Sequence, residues 1–240
     1  MRVYYRENER LDLETPQEEN FLKRYWFIVI ATVIVFVADL FVNYSFARNI
    51  APLYPLKIIP PGYFFSIWLL IYAFMIFMMN LWIIKPNPNM RDWIDLNVIN
   101  FLNMTWLFLS VSGWRTKLYF TVINLFLLSA FCYNLWRSLV RTEFKNKAME
   151  LFCANFMSFY LGWTVCASVL NFCQLLHYKF LVREAIVFIV FFALTGLVIL
   201  AYTKAALFSH RPAVRSIGFY LSAGWGIMGV LIASKRNFMY

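Results

Sequence analysis

Residues 185–203 read AIVFIVFFALTGLVILAYT, and no charged side chain interrupts this run. An apolar stretch of about 18 residues or more is long enough to cross the roughly 30 Å hydrocarbon core of a bilayer as a helix. The run is almost purely apolar, so a helix built from it has no face suited to water. The stretch therefore predicts a transmembrane helix.

The rest of the chain repeats this pattern. Of its 240 residues, 62% are hydrophobic and 14% are charged, against about 45–50% and about 25% in an ordinary globular protein. All eight prolines fall outside the apolar runs, which favours continuous helices over the broken helices of many transporters. We predict an all-α integral membrane protein of about seven transmembrane helices. They are placed at residues 25–46, 62–84, 93–113, 117–138, 149–177, 182–207 and 214–234.

The charged residues lie in the tail and the loops. Residues 1–24 mix acidic and basic side chains, unlike a secretory signal or a transit peptide, so we expect the first helix to direct insertion. More of the 22 Lys and Arg residues fall on the side of the N-terminus, which predicts that this side faces the cytoplasm or the mitochondrial matrix. The net charge of +10 is spread along the loops, as suits a membrane surface rather than nucleic acid.

Side chains for catalysis are not grouped in any recognisable pattern. The four cysteines lie inside apolar runs without metal-ligand spacing, and His177 and His210 lie at helix ends. There is no phosphate-binding loop and no nucleophile–base pair. We therefore expect neither an enzyme nor a metal site.

Three predicted helices carry a polar and aromatic face. At 100° per residue, these side chains fall on one arc of the second, third and fifth helices, so they could converge on a pocket. They could equally form interhelical contacts, worth about 0.6–2 kcal/mol each, and both interpretations stay open. The faces consist of Phe64, Trp68, Tyr72, Met75 and Met79; Asn100, Asn103, Trp106 and Ser110; and Tyr160, Trp163, Thr164, Ala167, Asn171 and Gln174.

Asp39 is the one acidic residue well inside a predicted span. Because a charge within the bilayer is costly, such a carboxylate is a candidate for a proton-linked group or a ligand counter-ion. The alternative is a neutral or locally paired side chain that bonds Asn43, one helical turn further on. The sequence leaves both interpretations open.

The seventh predicted helix has small residues at a spacing of four, namely Gly218, Ser222 and Gly226. Small residues at this spacing let two helices approach closely. We predict a helix-packing face here, and its partner is either another helix of the chain or another subunit.

Four segments together resemble one known family. They are YPLK at 54–57, IPPGYFFSIWLLIY at 59–72, LNMTWLFLS at 102–110 and YLGWTVCASVLN at 160–171. In order and spacing they are similar to the tryptophan-rich sensory protein and translocator protein (TspO/MBR) family. The residues that carry the resemblance are Pro60, Pro61, Gly62, Trp68, Tyr72, Asn103, Trp106, Tyr160, Trp163, Ala167 and Asn171.

The resemblance implies a domain organisation. A polar tail, residues 1–24, precedes a TspO-like five-helix core at 25–177, and residues 178–240 add two further helices and a short tail. Tyr63 stands where the family usually has Trp, and Ser66 and Ile67 replace a Gly-Pro, one residue shorter. The pocket wall is therefore expected to differ from that of the family.

The resemblance also implies a pocket under the first loop, which in the family binds tetrapyrroles or sterols. A tetrapyrrole, a sterol or a bound lipid is accordingly the expected ligand here. The residues implied as its lining are Trp68, Tyr72, Asn103, Trp106, Tyr160, Trp163, Ala167 and Asn171.

Two functions are expected from these observations. The first is a non-enzymatic structural or accessory subunit of a larger membrane complex, with the respiratory chain of the mitochondrial inner membrane as a candidate. The alternative is a TspO-like binding protein for a tetrapyrrole, sterol or lipid. Membrane lipids and other membrane subunits are the expected partners. A retinal protein is disfavoured, because the seventh helix has no interior lysine and Lys235 lies at its end.

Overall fold

A computed structural model of the chain describes residues 15–47, 56–84, 89–111, 117–142, 147–208 and 216–238. These residues form seven long α-helices and no β-strand, so the predicted all-α class is confirmed. A short 3-10 helix, Gly62–Ser66, leads directly into the second of them. The helices are α1 (Thr15–Ala47), α2 (Ile67–Ile84), α3 (Met90–Val111), α4 (Lys117–Arg141), α5 (Lys147–Phe180), α6 (Glu184–Leu207) and α7 (Ile217–Phe238).

Six of the seven helices are long and apolar enough to cross a membrane. The chain is therefore an integral membrane protein, as predicted. The remaining helix, α3, has 22 residues, which at 1.5 Å per residue gives a length of about 33 Å. Its sequence is less apolar because it carries Asp92, Asp95, Asn100 and Asn103, and all four are buried against other helices.

The observed helices extend beyond several predicted spans. α1 begins at Thr15 instead of residue 25, so part of the segment assigned to the polar tail is helical. α5 covers Lys147–Phe180 instead of 149–177. The physical reason is that an apolar run shows only which residues cross the bilayer. The backbone hydrogen bonds of the helix continue into the polar residues on either side. Residues 1–14 lie outside the described part of the chain.

Helix α5 is the hub of the bundle. It packs against α2, α4, α6 and α7, while α3 joins α4 to α1. Within the candidate spans, 61% of α5 is buried but only 22% of α6 and 28% of α1. Only a minority of the residues in the α1 and α6 spans are therefore buried within the chain.

The small-residue face of α7 packs against α5 of the same chain. A Cβ atom placed on Gly218 would overlap the carbonyl oxygen of Asn155, and one placed on Gly162 would overlap the hydroxyl oxygen of Ser222. A Cβ on Gly226 would meet α5 at 2.9 Å. Only glycine permits this backbone separation, so the partner that the sequence left open is internal.

Candidate functional site

An aromatic cluster occupies the interface of α2, α3 and α5. Trp68 is its centre: the ring stacks on Tyr72 and on Trp106, with centroids 5.8 and 5.9 Å apart. It also makes edge contacts with Tyr160 at 5.9 Å and with Trp163 at 6.3 Å. Aromatic pairs of this kind contribute about 0.5–1.5 kcal/mol each beyond the burial of their area. The three polar-aromatic faces thus meet. Around Trp68 their side chains pack directly against one another.

A buried network of amides and a carboxylate lies beside this cluster. The side-chain amide of Asn103 donates to Asp39 Oδ2 at 2.9 Å and to the Tyr72 hydroxyl oxygen at 2.9 Å. Asn43 donates to Asp39 Oδ1 at 3.0 Å, which is the local pairing considered from the sequence. Asp39 and Asn103 are both fully buried. The carboxylate therefore joins α1 to α3, and a further role for it stays a prediction.

A cavity of about 130 Å³ lies at the end of the bundle covered by Ile59 and Pro60, just before α2. The C-terminal ends of α3 and α5 and the first turns of α4 and α6 surround it, together with α7. Four of the eight predicted pocket residues line this cavity, and the other four belong to the aromatic cluster and the amide network. The lining four are Trp106, Trp163, Ala167 and Asn171. The other four are Trp68, Tyr72, Asn103 and Tyr160.

Several lining residues were not singled out from the sequence. Lys117 comes from the start of α4, Phe191 from α6 and Val230 from α7, while Gly226 was predicted as a helix-packing residue and not as lining. A lysine at the first position of an apolar run is a signal that could have drawn attention to Lys117. Nothing in the sequence places the α6 and α7 residues at this site, because they reach it only through the packing of α7 on α5.

The cavity wall includes buried hydrogen-bond donors. The indole N–H groups of Trp106 and Trp163 are buried and have no acceptor among the described residues. The ammonium of Lys117, a residue only 4% exposed, donates to the carbonyl oxygen of Ser110 at 3.3 Å. A buried polar group without a partner costs about 1–3 kcal/mol. The wall is therefore suited to an occupant that supplies acceptors.

The size of the cavity limits what it encloses. Pockets for drug-sized ligands measure about 300–1,000 Å³, whereas this one measures about 130 Å³. An engineered apolar cavity of about 150 Å³ in another protein holds a molecule the size of benzene. A tetrapyrrole or a sterol is at least drug-sized, so the cavity encloses only part of such a molecule unless its walls move.

A second hollow, of about 360 Å³, lies between α4, α5, α6 and α7. Its wall is almost wholly apolar, and the hydroxyl groups of Ser129 and Ser168 that line it bond each other at 3.0 Å. The Tyr202 hydroxyl also lines it and is buried without a partner among the described residues. The smaller cavity has two such buried donors and a lysine. The smaller cavity is therefore the better candidate for a specific site.

The comparisons with known proteins agree with the motifs. The chain matches the family model described as TSPO-like protein over residues 21–239. The chain belongs to the TSPO-like protein family. The match does not stop near residue 177, where the resemblance read from the motifs ended, but continues through α6 and α7 of this TSPO-like protein. Comparisons with curated proteins and with solved structures gave no match.

Proposed function

We propose that this TSPO-like protein is a non-enzymatic membrane protein that binds a largely apolar ligand in the cavity of about 130 Å³. The observation that supports this most is the pair of buried indole N–H groups, on Trp106 and Trp163, that lack an acceptor among the described residues. A ligand with a carbonyl or carboxylate oxygen recovers the free energy that these donors lose on burial. A tetrapyrrole, a sterol or a lipid that carries such an oxygen meets this condition.

The chemistry of the wall favours binding over catalysis. In the described part of the chain, no nucleophile–base pair lines the cavity, and its one thiol, on Cys166, donates to the carbonyl oxygen of Ala223 at 3.7 Å. Most of the remaining wall is apolar, from residues such as Phe65 and Leu170. Such a wall holds and orients a ligand by burial and by a few hydrogen bonds.

The binding proposal is tested by removing the donors without removing the rings. Purified protein in nanodiscs is titrated calorimetrically with a sterol, a porphyrin and a medium-chain lipid. For the ligand that binds, Trp163→Phe and Trp106→Phe should each weaken affinity roughly 2- to 12-fold, the value of one neutral hydrogen bond of about 0.5–1.5 kcal/mol. The matched control is Trp26→Phe, since Trp26 lies on the exposed face of α1. Wild-type affinity in both cavity variants contradicts the proposal.

A second proposal is the accessory subunit of a larger membrane complex. The large apolar surfaces of α1 and α6 support it, because only 28% and 22% of these spans is buried within the chain. Lipid also covers such surfaces, so the observation favours this role less strongly than the cavity favours binding. Extraction in a mild detergent followed by native electrophoresis is the test. Co-migration with a stable assembly is expected, and a free monomer contradicts the proposal.

We also propose a membrane for this protein and an orientation within it. The mitochondrial inner membrane, with the respiratory chain as the assembly, suits a chain composed almost entirely of helices. The distribution of Lys and Arg supports an N-terminus on the matrix or cytoplasmic side. Organelle fractionation, followed by protease protection of an N-terminal tag, tests both. In the mitochondrial inner membrane the tag should be protected in mitoplasts, and its cleavage there overturns the matrix orientation.

A further inference from the structure

We propose that the occupant of the cavity is an anionic amphiphile, a single-chain carboxylate whose charged group is bound at Lys117. This inference rests on the proposed function, and it adds the charge and the headgroup chemistry of the ligand. It depends on where the fold places one cation relative to the two indole donors.

The cation lies in the wall of the cavity and away from water. Lys117 is the first residue of α4 and is 4% exposed, and its Nζ is held at 3.3 Å from the Ser110 carbonyl oxygen. The N-terminus of α4 adds the positive end of a helix dipole at the same place. No acidic side chain of the described residues lines the cavity. Lys117 is thus the one charged side chain among the described lining residues, and charges near a protein interior interact more strongly than in water.

The two indole donors line the same cavity as this cation. The Ser110 hydroxyl bonds the carbonyl oxygen of Trp106, one helical turn earlier, so Trp106 is about 6 Å along the helix axis from the residue that holds Lys117. Trp163 completes the wall from α5. A carboxylate is an acceptor at both oxygens and brings no donor of its own. It therefore matches a lysine and two indole N–H groups better than an alcohol or an amide does.

The cavity size selects the rest of the ligand. A volume of about 130 Å³ holds a carboxylate and the first carbons of a chain against apolar neighbours such as Leu118 and Leu170. A slender chain satisfies this limit, whereas a broad ring system does not. A fatty acid therefore fits the wall, and the test below distinguishes it from an alkyl phosphate, which shares the anionic group and the single apolar chain.

The experiment compares three probes of equal chain length. Decanoate, 1-decanol and decyl phosphate are titrated into the full-length protein in nanodiscs, with calorimetry as the readout. We expect decanoate to bind at least tenfold more tightly than 1-decanol, and Lys117→Met to abolish that difference by weakening decanoate alone. Lys117→Arg should retain most of the preference. Lys179→Met is the matched control, because Lys179 is exposed at the same end of the bundle and does not line the cavity.

The outcomes separate this inference from the proposed function. Equal binding of decanoate and 1-decanol, unchanged in Lys117→Met but weakened in Trp163→Phe, overturns the anionic headgroup and leaves the cavity as a binding site. A preference for decyl phosphate over decanoate overturns the carboxylate as the headgroup. No binding of any probe, together with wild-type behaviour of the tryptophan variants, overturns both. If Lys117→Met does not fold, Lys117→Gln gives the same comparison with a polar side chain in place.

Discussion

The helices α1 and α7 are attached to the bundle in different ways. α7 lies against α5 through glycines and serines at a backbone separation that leaves no room for a Cβ atom at Gly218. α1 lies against α3 through polar side chains, with Asn97 donating to Thr32 at 2.7 Å and Asn103 to Asp39 at 2.9 Å. In lipid, close van der Waals packing and interhelical hydrogen bonds both hold helices together. α7 combines close packing with bonds such as Gly218 N–H to Asn155 Oδ1 at 3.2 Å, whereas α1 depends on bonds between polar side chains.

The two attachments differ in how strictly they fix the position of the helix. Close packing tolerates no added atom anywhere along the contact, so α7 has a single fit on α5. A polar attachment depends on a few side chains spaced about two turns apart on α1, and apolar residues such as Trp26, Ile34 and Phe41 stay exposed. The cavity borders α7 and not α1. The close packing of α7 on α5 therefore sets the shape of the cavity.

The largest expected effect comes from breaking the close packing. Gly218→Leu places a side chain against the backbone of Asn155, and overpacking of a tight contact costs about 1–3 kcal/mol or more. We expect the loss in unfolding free energy to reach the upper end of that range, because backbone cannot move aside as a side chain can. Reversible unfolding in bicelles measures it. Gly224→Leu is the control, since a Cβ there meets nothing within 4 Å; equal losses in the two variants would show that α7 is not tightly packed.

We expect a smaller loss of unfolding free energy when the polar attachment of α1 to α3 is broken. Asn103→Leu removes the amide that bonds Asp39 across the helices and leaves the buried carboxylate with Asn43. Hydrogen bonds to a charged group contribute about 1.5–3 kcal/mol, and we expect a loss near the middle of that range in the same assay. The paired variant Asp39→Leu with Asn103→Leu should recover part of it, because it leaves no unpaired carboxylate. Additive losses in the pair would contradict a direct interaction.

The smallest loss of unfolding free energy is expected from the second polar contact of α1, between Thr32 and Asn97. Thr32→Val keeps the shape of the side chain and removes the hydroxyl that accepts from Asn97. Interhelical hydrogen bonds in membranes average about 0.6 kcal/mol, so the expected loss is of that order. A double-mutant cycle with Asn97→Leu isolates the pair. A coupling energy of zero would leave the Asp39–Asn103 contact as the main attachment of α1.

The fold could be predicted from the sequence to a large degree. The seven helices follow from apolar runs, and the family follows from motifs such as Pro60-Pro61-Gly62 and Asn103 with Trp106. The bond between Asp39 and Asn43 also follows, since residues four apart are neighbours on a helix. The second bond of Asp39, to Asn103, does not, because it joins residues 64 positions apart.

The candidate site was predicted less well. Trp68 and Trp163 are the same residue type on two faces of the same character, yet only Trp163 lines the cavity. Trp68 is surrounded by other rings and serves the packing. Sequence patterns locate a face on a helix, but they do not say whether the facing helix fills the space in front of each residue.

What the sequence determined by itself is that the chain lies in a membrane as a bundle of apolar helices. This is local physics: each helix satisfies its own backbone hydrogen bonds, and its length and polarity set its place in the bilayer. Only the tertiary structure decided that α7 packs on α5, that Asp39 bonds Asn103, and that Lys117 and two indole N–H groups share one cavity. These depend on contacts between residues far apart in the chain, and a cavity is the space that all of the surrounding helices together leave unfilled.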